Sequence, residues 1–174
     1  MTTDTVETVG LTLDDMFRRT YALAINSPDP STQNGAVLVD GKTGSIIGVG
    51  WNDFPSGVNT DHWHGEKEAK YARVVHAETS AILDAGRLGH ATQGSILVCP
   101  WAACSNCAKH IAFSGVSALV RHPNNNGDTG NHWHDDCAIG DEIMTEADIQ
   151  IVEYPIVQTN LVLRRNGEDW PPRG

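Results

Sequence analysis

No run of about 18 apolar residues, the length a membrane-spanning helix needs, occurs in this chain, and no segment repeats or thins into a long low-complexity tract. Those absences exclude a helical membrane span, a solenoid architecture and overall disorder. Positive charge is also scarce: 12 Lys and Arg face 22 Asp and Glu, a formal net charge of -10. The whole-chain field therefore repels polyanions, and long nucleic acids are disfavoured as partners. One small phosphate is not excluded, because a local contact acts inside the Debye length of about 8 Å. The opening MTTDTVETVG lacks the basic start and apolar run of a signal peptide, so a cytoplasmic location is expected. Cysteine is limited to Cys99, Cys104, Cys107 and Cys137. In a reducing compartment these are candidates for metal binding or core packing rather than a disulfide framework.

What is present is ordinary globular composition, 40% hydrophobic and 20% charged over 174 residues. One domain spanning 1–174 is expected, with a core over about 11–154 and a C-terminal tail at 155–174. Apolar residues spaced from Leu11 to Ile25 predict an amphipathic helix, stopped by Ser27-Pro28-Asp29-Pro30. GAVLVD (35–40) and SIIGVG (45–50) predict a β-hairpin. A long loop follows from Trp51 to Tyr71, and loops of that length are usually functional or mobile. Beyond it a helix from about His76, a strand at 95–99, a helix at 104–114, a strand at 117–122, a helix at 135–145 and a strand at 149–154 alternate. That order predicts an α/β fold, a sheet covered on both faces with its late strands parallel. The segment after Tyr154 is expected to add a last strand and a loose tail.

Chemistry concentrates in two short motifs. Cys104-Ser105-Asn106-Cys107 is a C-x-x-C at an expected helix start; the i, i+3 spacing puts both sulfurs on one side, and the positive helix end favours thiolates. Zinc binding, a redox pair and simple packing are all open to it. His76-Ala77-Glu78 adds one nitrogen ligand and one carboxylate. Three ligands leave the fourth position of a tetrahedral zinc for water, the arrangement of a catalytic site. Residues two apart do not share a helix face, so His76 and Glu78 meet one metal only if it sits over the helix end. There Glu78 would act as general acid/base beside a water of lowered pKa. The duller alternative makes both residues N-terminal helix surface, with Glu favoured by the dipole.

H-x-E followed by P-C-x-x-C is the signature of zinc deaminases of nucleobases; here Ala103 replaces the proline, with Pro100 nearby in CPWAAC. SPDPSTQNGAVLVD, GVGWNDFPSG, KYARVVHAETSAIL and CSNCAKHIAFSGVSALV together resemble successive blocks of the deoxycytidylate (dCMP) deaminase family, within the cytidine deaminase superfamily. The resemblance covers about Leu13 to Tyr154. It implies a three-layer α/β/α cytidine deaminase-like fold, with a mixed sheet of about five strands and helices on both faces. By the same resemblance His76, Cys104 and Cys107 hold Zn2+, Glu78 is the catalytic acid/base, and Asn52 and Ala77 belong to substrate binding. The segment NHWHDDCAIGDEI is similar to one near the substrate phosphate, which nominates Trp133 and His134, with His132 and Arg121 as further sources of positive charge.

The implied reaction is hydrolysis of dCMP to dUMP and ammonia, supplying thymidylate precursors. Competing readings are a same-fold deaminase of modified dCMP, cytidine, guanine or adenine nucleotides, and a non-catalytic zinc-stabilised module closed by a fourth ligand. A tRNA-editing relative is disfavoured by charge. The resemblance also implies a homo-oligomer, hexamer or dimer, and dCTP and dTTP as effectors at the loop that here reads GWNDFP. Asp53 puts a carboxylate beside any such triphosphate, which disfavours both effectors unless Mg2+ accompanies dCTP. His62, Trp63, His64, His132, Trp133, His134 and Cys137 cluster without any recognised ligand spacing for a second metal.

Overall fold

A computed structural model describes residues 10–60, 67–123 and 132–173. Its elements run α1 (Leu13–Ala24), β1 (Gly35–Val39), β2 (Ile46–Trp51), α2 (Lys67–Tyr71), α3 (Ala77–Arg87), β3 (Ile96–Val98), α4 (Ser105–Phe113), β4 (Ala118–Arg121), α5 (His132–Glu146), β5 (Gln150–Glu153), β6 (Leu163–Arg165) and β7 (Glu168–Trp170). The main sheet has the order β2-β1-β3-β4-β5. β1 is antiparallel to both β2 and β3, and β3, β4 and β5 are parallel. The predicted alternation and the parallel late strands are both present.

Strand side chains alternate between faces, and that period divides the core in two. Ala36, Leu38, Leu97 and Leu119 join α3, α4 and α5 on one face. Val37, Val39, Val98 and Val120 join Phe17, Tyr21 and Leu23 of α1 on the other. A sheet clad on both faces explains why all five residues of β1 are buried, a continuous apolar run rather than an alternating one. α1 starts at a capping box, with Thr12 accepting from the Asp15 N–H and the Asp15 side chain accepting from the Thr12 N–H, which satisfies two otherwise orphaned donors.

Three expectations change. The stretch to Tyr71 ends in the short helix α2. α5 begins at His132 rather than Asp135. The C-terminal segment adds no strand to the main sheet and is not loose: β6 and β7 form their own antiparallel pair, with Val157 and Leu163 buried in the α1-side core. Asn166 and Gly167 both take positive φ, 54° and 84°, as a two-residue type I′ hairpin turn requires.

α3 approaches β2 unusually closely, and small residues permit it. A Cβ built on Gly50 would collide with the Ala81 nitrogen and the Ala77 carbonyl, and one on Gly48 with the Ala81 carbonyl. Neither obstacle is a movable side chain. Gly50→Ala is accordingly expected to push the start of α3 off the sheet and destabilise the protein by about 1–3 kcal/mol. Denaturant unfolding checks this; an unchanged midpoint would contradict the packing account.

Candidate active site

His76 is the N-cap of α3, Ala77 its first residue and Glu78 its second. The His76 side chain makes no capping hydrogen bond. Asn52, at the end of β2, serves instead: its Oδ1 accepts from the Ala77 N–H at 2.9 Å, while its Nδ2 donates to the Thr32 carbonyl at 2.9 Å. A helix-end donor satisfied from outside leaves the imidazole to face the sulfurs. Cys104 is the N-cap of α4, and its Sγ accepts from the Cys107 N–H. Two helix starts therefore meet, which places His76 and Glu78 together over a helix end, as a two-residue spacing demands.

His76 Nδ1 lies 3.4 Å from Cys104 Sγ and 3.5 Å from Cys107 Sγ. A tetrahedral zinc with Zn–S of about 2.3 Å and Zn–N of about 2.0–2.1 Å separates nitrogen from sulfur by about 3.5 Å, so the donor set has zinc's dimensions. Among the described residues these three form the group able to hold a metal, and no fourth His, Cys, Asp or Glu joins them. The electrostatics agree. Burial opposes charge on His76, yet the Cys104 sulfur and the Glu78 carboxylate outweigh it and raise the imidazole pKa. The Cys107 thiol, against burial and with help from His76, draws Cys104 well down. Such a negative field is what a divalent cation meets favourably. The Thr79 hydroxyl supports Cys107, with Oγ1 3.7 Å from its Sγ and 3.0 Å from His110 Nδ1.

Glu78 is 3% exposed, and its Oε2 has no hydrogen-bond partner among the described residues. Burial pushes its carboxyl up to about 7, partly offset by His76. A carboxyl near neutrality both accepts and returns a proton at physiological pH.

His76, Glu78 and Cys104 line one cavity, together with Asp29, Asn52, Lys70, Trp101, Trp133 and Arg165. Trp133 packs edge-on against His76 and Tyr71, with centroids 5.6 and 5.5 Å away. Ala77 is fully buried and its N–H is engaged by Asn52. His134 is outside the lining, 48% exposed and 3.2 Å from Asp135. Arg121 is buried away from the lining in a two-point ion pair with Asp141, at 2.7 and 2.8 Å. The His132 side chain and His62, Trp63 and His64, four of the seven residues of the second cluster, lie outside the described residues.

Sequence reasoning missed Lys70, Trp101 and Arg165 as cavity residues. For Arg165 a signal existed, since Asn166-Gly167 just after it is the strongest short-range mark of a hairpin.

The profile of the cytidine and deoxycytidylate deaminase zinc-binding region matches residues 12–122. The chain belongs to that family. This deaminase is 33% identical over 130 residues to an "uncharacterized deaminase in luxG 3'region" of Aliivibrio fischeri, covering 75% of this chain and 84% of that one. It is 37% identical to the deoxycytidylate deaminase of Enterobacteria phage T2, over 58% of this chain and 73% of the relative. The dCMP deaminase of cyanophage S-TIM5, solved with dCMP and dUMP, shares the fold with a TM-score of 0.63 at 24% identity, over 79% of this chain and 93% of that one. Among the described residues no helix is long and apolar enough to cross a membrane.

Metal analysis of the deaminase is expected to find about one zinc per chain with three protein donors, lost in Cys104→Ala and Cys107→Ala; full zinc retention in either would contradict the donor set. A second prediction concerns His122, at the cavity wall. Its Nδ1 donates to the Tyr154 carbonyl at 2.9 Å, so its Nε2 accepts from the Tyr21 hydroxyl at 2.6 Å. Burial holds its pKa below the ordinary 6.5. The unfolded chain takes up the proton first, so this contribution is complete above about pH 6.5 and is lost as pH falls below it. Denaturant titrations across that range should show stability falling on acidification, and falling less steeply in His122→Asn.

Proposed function

We propose that this deaminase hydrolyses dCMP to dUMP and ammonia with zinc at His76, Cys104 and Cys107. The observation that carries the chemistry is the buried Oε2 of Glu78, without a hydrogen-bond partner among the described residues, in one cavity with His76 and Cys104, two of the three donors that lie at zinc spacing. Support for dCMP comes from relatives named deoxycytidylate deaminase, among them those of phage T2 and of Pongo abelii, the latter 30% identical over 58% of each chain. The acidic net charge of -10 suits a free nucleotide better than a polymer.

Zinc held there would supply Lewis acidity and lower the pKa of water toward about 7. Glu78 would accept the proton that water gives up on attack at C4 and deliver it to N3, then take the remaining proton from the C4 hydroxyl and pass it to the amino group, which leaves as ammonia as the C4 carbonyl forms. Asn52 keeps His76 and Glu78 in register by holding the first N–H of α3. Trp133 and Tyr71 give the imidazole an aromatic wall, limiting access of bulk water.

A closed, purely structural zinc site is less well supported, since among the described residues no fourth protein ligand stands by. Assembly into a homo-oligomer and any response to dCTP or dTTP, with or without Mg2+, belong to the proposal as well. The Asp53 side chain accepts from the Phe54 N–H at 2.8 Å, so its carboxylate has a local role in the loop.

The decisive experiment measures ammonia release from zinc-loaded protein offered dCMP, CMP, deoxycytidine, 5-substituted dCMP, dAMP and guanine, each with and without dCTP. dCMP is expected to be preferred. Glu78→Gln should lower kcat by at least about 10²–10⁴-fold at unchanged zinc content. Undiminished turnover in that variant would refute the assignment, and preference for another compound would replace the substrate.

A further inference from the structure

We propose that Thr79, backed by His110, is the hydrogen-bond donor that holds Cys107 as a metal-binding thiolate. The inference rests on the reading of His76, Cys104 and Cys107 as zinc ligands and adds a positioning residue behind them.

Thr79 is the third residue of α3, and Cys107 is the third residue of α4. His110 follows Cys107 by three positions, which puts the two on one face of α4. Thr79 reaches both across the seam between the helices: its Oγ1 is 3.7 Å from Cys107 Sγ and 3.0 Å from His110 Nδ1. None of the three is among the residues that line the substrate cavity. The contact therefore supports the donor set from behind, on the side away from a bound substrate.

A half-buried hydroxyl at a helix seam needs partners. A threonine inside a helix commonly bonds the carbonyl four residues back. For Thr79 that carbonyl is on Val75, before the helix starts, and it accepts from the Asp53 N–H. The hydroxyl turns to α4 instead.

The chemistry of sulfur sets the direction of the bond. Thr79 has one hydroxyl proton and two lone pairs. A thiolate that binds a cation has no proton to give and can only accept. The hydroxyl accordingly donates to Cys107 Sγ, and its oxygen is left to accept from His110 Nδ1–H, which fixes the rotor. Each sulfur is then matched to one donor, since Cys104 Sγ accepts from the Cys107 N–H at 3.5 Å. Cys107 is the sulfur that needs a side-chain donor. The Cys104 sulfur, and burial after it, push the Cys107 thiol well up, with Thr79 acting against them, whereas the Cys107 thiol draws Cys104 down. Zinc requires both as thiolates.

Titrating the zinc-loaded protein with a chromophoric chelator reads the affinity. The thiolate-to-metal charge-transfer band of the Co2+-loaded protein reads the hydrogen bond on sulfur. Thr79→Val keeps the side-chain shape and removes the donor, while Thr79→Ser keeps the donor. Thr145→Val is the control, on exposed α5 surface where the Thr145 hydroxyl donates to the Asp141 carbonyl. Thr79→Val should weaken zinc binding by about 10- to 100-fold and move the cobalt band to longer wavelength. Thr79→Ser should stay within about threefold of wild type with its band unmoved, and His110→Ala should fall between the two. Thr145→Val should match wild type. Zinc affinity in Thr79→Val within about twofold of wild type, or an equal loss in Thr79→Ser, overturns the assignment. If Thr79→Val fails to fold, Thr79→Ala against Thr79→Ser, a pair that differs by the one hydroxyl, decides by the same ratio. A wild type that binds no Zn2+ overturns the zinc reading together with this one. A wild type that binds Zn2+ yet turns over no dCMP overturns the substrate reading alone, because neither measurement depends on turnover.

Discussion

The meeting of two helix starts governs this molecule. α3 and α4 each begin at a residue whose side chain points into the space between them, His76 and Cys104, and Cys107 follows within the first turn of α4. Helix N-termini carry partial positive charge and unsatisfied N–H groups, which favours thiolates there and leaves a carboxylate one turn away at little cost. A burial that would otherwise be prohibitive for Glu78 becomes tolerable because its carboxyl rests near neutrality, at about 7. Had either helix started one residue later, the donors would rotate by roughly 100° and the 3.5 Å spacing would be lost.

Keeping those helix starts in place is the task of the sheet. Gly48 and Gly50 let α3 lie directly on β2, and Asn52 at the end of that strand grips the first N–H of the helix. The same Asn52 binds the Thr32 carbonyl through its amide, and its own carbonyl accepts from the Ser27 hydroxyl at 2.7 Å. One side chain thereby joins β2, α3 and the loop at residues 27–34. That loop in turn holds the hairpin, so hydrogen bonds through the Asn52 side chain and the loop link the start of α3 to Arg164, Asn166 and Gly167. The placement of Glu78 and that of the hairpin have one structural source.

Charge is distributed with similar economy. Arg121 and Lys70 are both buried, and each is matched to a carboxylate, Asp141 and Asp29. An unpaired buried cation would cost several kcal/mol, so neither is a loose electrostatic resource. These pairs stabilise the end of β4 and the loop over the cavity, and Arg165 stacks on Trp101 at the same cavity.

His76, Glu78, Cys104 and Cys107 were legible in the linear chain because helix periodicity makes local spacing a statement about direction, and because three donors and an acid form a known chemical unit. The alternation of strands and helices was legible for the same local reason, with boundaries moved by a few residues. The role of Asn52 as an external cap and the ion pair that occupies Arg121 depended on partners 25 and 20 residues away, in directions no periodicity reports. The hairpin was half legible: Asn166-Gly167 marks its turn, but nothing local says that the turn docks on residues some 130 positions earlier. The sequence by itself therefore determined the chemistry available, the donors, the acid and the elements that carry them. Only the tertiary structure decided which cations reach the cavity, because that choice is made by packing between distant segments, where a carboxylate already at hand or an aromatic face removes one candidate and positions another.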